Sequence, residues 1–247
     1  MEKAFPEVSE VQRAPLYRAQ LLLQSDNGPA AEQILEEIGS GSPVYRQAQW
    51  ILARERFRRA EAAKRADGDT GPDLKRLYER VAEALTRYAD NRPAGAPDAD
   101  PAEAQSVIDL AAATAQRLLH LEGVDPDAVH TFIDGIEPLL SVTGGSQTRM
   151  EAVRAEIDLS AGDLRAAMTR LNDVLRLNSS DSATAATMMG IAGRLEQART
   201  HASESDPQAQ EIDQVLAKVY SFLVDHLRTS EDAAMRERQP AARLCLA

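Results

Sequence analysis

Histidine is the side chain best suited to proton transfer and metal binding near neutral pH, and this chain has four: His120, His130, His201 and His226. No two stand four residues apart, and none belongs to a His-Glu-x-x-His pair of the kind that holds zinc on a helix face. The one cysteine, Cys245, can form neither an internal disulfide nor a cysteine-based metal site. No glycine-rich phosphate loop, no Gly-x-Gly-x-x-Gly and no Gly-x-Ser-x-Gly elbow occurs, and Gly144-Gly145-Ser146 reads as a turn between helices. Carboxylates are abundant, but most belong to solvated helix faces and no catalytic pair stands out. The expectation is a non-catalytic protein with no cofactor and no metal.

The strongest local anomaly is basic. Arg46, Arg54, Arg56, Arg58, Arg59, Lys64 and Arg65 crowd into one segment of a chain whose net charge is −11. At about 100° per helical residue, Arg54, Arg58 and Arg65 fall almost on one line beside a Trp50/Phe57 stripe. Such a ridge could dock an acidic peptide, a phosphate or a nucleic acid. The plainer reading is charge balance, with these arginines paired to Glu55, Glu61 and acidic residues of neighbouring helices. Trp50 shares its stripe with Phe57, Ala53 and Ala60, which reads as core rather than as a binding platform. An overall acidic balance works against a chain-wide role in binding nucleic acid or anionic membrane.

Helices must position these residues. Alanine is frequent throughout the 247 residues, aromatic residues make up only 4%, and runs of β-branched residues are missing. Breakers divide the chain into helical segments at Val11–Gln24, Ala30–Ile38, Val44–Ala66, Asp73–Tyr88, Ala102–Leu121, a shorter one opened by Asp125-Pro126, Thr148–Ala161, Asp163–Leu177, Ser182–Ser203 and Pro207–Arg228. Inward stripes include Leu74, Leu77, Val81 and Leu85, and Val107, Leu110, Ala111, Thr114, Leu118 and Leu121. Proline- and aspartate-rich residues 91–101 read as a loop or linker. They separate N-terminal hairpins, 1–90, from C-terminal hairpins, 102–228, and 229–247 reads as a frayed tail. No apolar run reaches the length of a membrane span, and the first residues lack the apolar centre of a secretory signal, so a cytoplasmic protein is expected.

Two hairpins carry a further pattern. In Arg149–Asp181, small Ala155 and Ala167 flank a Gly162-Asp163 turn, and Leu171 and Val174 follow. In Gln12–Tyr45, Ala19, Ala31, Leu35, Ile38 and Pro43 occupy the matching places. Small residues at such places let two helices cross closely. Both segments resemble a tetratricopeptide repeat, although the template's Trp and Tyr positions fall on Glu151 and Asp158. The resemblance implies an all-α fold of antiparallel helical hairpins stacked as a right-handed α-solenoid, irregular in its middle repeats. It also implies a scaffold that binds a peptide or protein surface on its concave face. The groove-facing positions would be Arg13, Gln20 and Gln24 in the first match and Arg149, Glu156 and Ser160 in the second. The identity of the partner is not written in this mixed, polar set. The alternative is an RNA- or phosphate-binding helical repeat protein that uses the Arg54/Arg58/Arg65 ridge, and a third is an all-α enzyme with an acidic site.

Overall fold

The protein is described by a computed structural model that covers residues 6–68, 73–91, 101–137, 146–177, 182–201 and 207–229. These residues form ten helices and no strand: α1 (Pro6–Gln24), α2 (Gly28–Glu36), α3 (Tyr45–Asp67), α4 (Leu74–Asp90), α5 (Pro101–Leu119), α6 (Pro126–Ile136), α7 (Ser146–Ser160), α8 (Leu164–Leu177), α9 (Ser182–His201) and α10 (Pro207–Thr229). The all-helical expectation holds for them. α1 starts earlier than its breakers suggested, at Pro6, and carries Pro15 within it.

Local chemistry accounts for the helix ends. Asn27 caps α2 by accepting from the Ala30 N–H, and Pro29 occupies its first turn. Asp125 caps α6 in the same way, followed by Pro126. Gly162 takes a φ of +82°, a left-handed conformation that suits glycine, and so closes α7. The Asp163 carboxylate then accepts from the Ala166 N–H and opens α8.

The chain divides into two compact units, Met1–Thr143 and Gly144–Ala247. In the first, α1 pairs with α2, α3 with α4 and α5 with α6, while α2 meets α3, α4 meets α5, α3 meets α5 and α4 meets α6. Ring contacts show that α3 and α4 are antiparallel: Trp50 lies 6.2 Å from Tyr88, and further along Phe57 lies 5.9 Å from Tyr78. In the second unit α7 pairs with α8 and α9 with α10, and α7 meets α9 as α8 meets α10. Residues 92–100, most of the expected linker, lie outside the described residues, as does the expected tail from residue 230 on. The helices that flank the linker, α4 and α5, pack together within the first unit.

Alanine sets the packing distance. Ala48, Ala53, Ala60, Ala84, Ala104, Ala111, Ala112 and Ala115 are fully buried in the first unit. The positions that carry the repeat resemblance, Ala19, Ala31, Leu35, Ala155, Ala167, Leu171 and Val174, are fully buried as well. The second unit closes over Met168, Leu171, Met188, Ile191, Leu195, Ile212, Val219 and Leu223. Tyr78 and Tyr88 are core residues that the leucine stripe of α4 did not reveal, and Leu77 is only half-buried. Trp50 and Phe57 are half-buried too, rather than fully enclosed as their stripe suggested.

Candidate functional site

Two stripes with the three- and four-residue steps of a helix face each other in the first unit. α1 presents Arg13, Tyr17, Gln20 and Gln24, and α3 presents Gln47, Ile51, Arg54 and Arg58. Arg13, Tyr17, Val44 and Gln47 line a groove of about 360 Å³. Gln20, Leu23, Gln24, Ile51, Arg54, Glu55 and Arg58 line a second of about 730 Å³. Early residues of α1 meet early residues of α3 and late ones meet late, so the two helices run in the same direction.

On its other side α3 faces α5. Trp50 and Arg54 share a third groove, of about 710 Å³, with Ala102, Glu103, Ser106, Asp109, Leu110 and Ala113. These helices are parallel too. Trp50 and Glu103 stand at one end, and at the other Arg117 donates to Glu61 at 2.7 Å. The first unit thus carries a corrugated face made by every second helix, α1, α3 and α5, and Arg54 borders two of its grooves.

Arg56, Arg58 and Arg59 of the basic cluster are paired with carboxylates. Arg56, almost fully buried, donates to Glu32 at 2.8 Å, to Glu36 and to the Arg80 carbonyl at 3.1 Å. Arg59 pairs with Glu32, and Arg80 pairs with Glu32 at 2.9 Å and Glu36 at 2.6 Å. Three arginines and two glutamates therefore lock α2, α3 and α4 together. Arg58 donates to both oxygens of Glu55, at 2.9 and 2.8 Å, and lies 3.6 Å from Asp26. The Glu55 hydrogen bonds raise the Arg58 guanidinium above its ordinary value. Glu55 also packs tightly on Gly28, where a Cβ would run into its carboxylate. Arg65 donates to the Glu61 carbonyl at 3.2 Å and lines neither groove of Arg54. All three arginines of the expected ridge lie on α3, and Arg54 and Arg58 share a groove.

Arg54 differs from its neighbours. It is exposed, lies 5.6 Å from the Trp50 ring centre, and makes no ion pair among the described residues. Arg46 sits 4.2 Å above the Tyr88 ring, and its buried Nε and Nη2 have no hydrogen-bond partner among the described residues. Tyr88 donates to Glu103, and burial followed by that bond raises its phenol well above the ordinary value.

In the second unit, two of the expected groove residues engage α9. Glu156 is buried and stands 3.5 Å from Arg194 of α9, which also donates to Ser160. Arg149 is half-buried on α7. Glu156 and Ser160 thus tie α7 to α9 in this structure. The template's aromatic positions, Glu151 and Asp158, both grip Arg170 of α8, at 2.9 and 2.8 Å.

Among the described residues, no three His, Cys, Asp or Glu side chains gather into a group that could hold a metal ion. No described helix is long and apolar enough to cross a membrane. No family model matches the chain, and no curated protein matches it. The α5 wall of the grooves was missed by sequence reasoning, because Glu103 and Asp109 look like ordinary solvated carboxylates. The Trp50–Arg54 pair did carry a signal, an aromatic and a cation four residues apart on one helix.

Proposed function

We propose that this chain is a non-catalytic interaction protein of the cytoplasm, a tetratricopeptide-like stack of hairpins that holds an extended segment of a partner protein against α1, α3 and α5. The observation that carries the reading is the groove where Gln20 and Gln24 of α1 meet Arg54 and Arg58 of α3. Positions named by the repeat resemblance and positions named by charge converge there. Parallel first helices of successive hairpins, fully buried alanines, and the contacts of α3 with α5, α4 with α6, α7 with α9 and α8 with α10 support the solenoid reading. Long open grooves with mixed polar walls suit an extended chain, whose side chains project alternately to either side.

The phosphate or RNA reading is weaker. A phosphate backbone needs a run of unpaired cations, whereas Arg58 is held by Glu55, Arg65 lies off the grooves, and Glu55, Glu103 and Asp109 border the same face. Affinity capture from native extract followed by cross-linking tests the proposal. Partner cross-links should fall on α1, α3 and α5. Cross-links confined to α2, α4, α6 or the second unit would reject the groove, and binding that collapses steeply with salt and follows RNA would favour the alternative.

A further inference from the structure

The chemistry of the partner segment can be read from the trough between α3 and α5, and this inference rests on the groove reading above. One bank carries Arg54, exposed and without a carboxylate partner among the described residues. The opposite bank carries Asp109 and Glu103. Asp109 accepts from Gln105 at 2.9 Å and Glu103 from Tyr88. Between the banks lie Trp50 and Leu110, both half-buried, which leaves an apolar floor. In cross-section the trough is cation, apolar floor, anion.

We infer that the α3–α5 trough receives an extended peptide segment in which an acidic and a basic residue flank an apolar one. The acidic side chain meets Arg54, the apolar side chain covers Trp50 and Leu110, and the basic side chain reaches Asp109. The trough is complementary to that order of charges and to no uniform one. A polyanion would meet the carboxylates of α5, and a polycation would meet Arg54. An arginine already laid against an indole loses little freedom when it takes a carboxylate, and the planar guanidinium can grip both oxygens. The apolar floor shields one side of each ion pair from water, which strengthens them.

A phage-displayed library of random twelve-residue peptides, panned on the full chain and depleted on Arg54→Glu, tests this. Enriched sequences should share the acidic–apolar–basic order. Synthetic copies with a benzophenone group should label α3 and α5, and should bind Arg54→Glu and Asp109→Lys about tenfold or more weakly at unchanged thermal stability. The double exchange Arg54→Asp/Asp109→Arg should prefer peptides with acid and base exchanged. Enriched peptides that label α1, α3 or α5 but show no charge order, or tolerate Asp109→Lys, overturn the inference and leave the groove reading intact. Labels confined to other surfaces, or a selection with no enrichment, count against both.

Discussion

Glu61 of α3 accepts from the Tyr78 hydroxyl of α4 at 2.7 Å and from Arg117 of α5 at 2.7 and 3.3 Å, so one carboxylate joins three helices. Burial alone would push its carboxyl up. The hydrogen bonds from Arg117 and Tyr78 outweigh burial and hold it below the ordinary value of 4.5. Tyr78 moves the other way, raised first by burial and then by its bond to Glu61. A carboxylate lowered in the folded state stabilises the fold fully above its unfolded value, and that contribution is lost as pH falls through the lower folded value. Glu61→Gln should therefore cost about 1–3 kcal/mol near neutral pH. The gap between variant and wild type should shrink once the pH drops below about 4. Urea unfolding at neutral and acid pH measures both curves, and a gap that persists undiminished in acid would contradict the assignment.

Between helices the same logic works by pairs and clamps. Arg170 of α8 is held by Glu151 and Asp158, a turn or two apart on α7, where the repeat template would place aromatic rings. Burial would lower its guanidinium, but bonds to both carboxylates raise it. With the Arg170 side chain 31% exposed, solvent weakens the clamp, and Arg170→Ala should cost about 1–2 kcal/mol. Arg170→Lys should restore only part of this, because an ammonium cannot fork between two acceptors as a guanidinium does. Chemical denaturation of the three proteins decides it, and an alanine variant as stable as wild type would sink the clamp. The helices themselves were legible in the sequence, because Asn27-Gly28-Pro29, Asp125-Pro126 and Gly162-Asp163 are local signals with local effects. The pairings were not. Glu61 and Arg117 stand 56 residues apart, and no periodicity states which acid will meet which base. Tyr78 and Tyr88 escaped because a leucine stripe does not reveal that a tyrosine can bury its ring and still find a carboxylate for its hydroxyl. For the candidate site, the resemblance supplied Gln20 and Gln24 and charge supplied Arg54 and Arg58, but the α5 wall follows only from how the hairpins pack.

At the scale of the molecule, the chain is two helical units, each with its own buried core. The only tryptophan of the sequence, Trp50, lies in the first. It is half-buried on the floor of the α3–α5 trough, with Arg54 over its ring and Tyr88 tilted against it. Its emission reports on the melting of the first unit, whereas circular dichroism reports on helices of both. Urea curves followed by the two signals should not coincide, and superimposable curves would show that the units unfold as one. The same placement gives the protein a built-in optical probe at one address. A segment that seats in the trough must alter the indole's surroundings and so change its colour or brightness, and one that leaves the emission untouched has docked somewhere else.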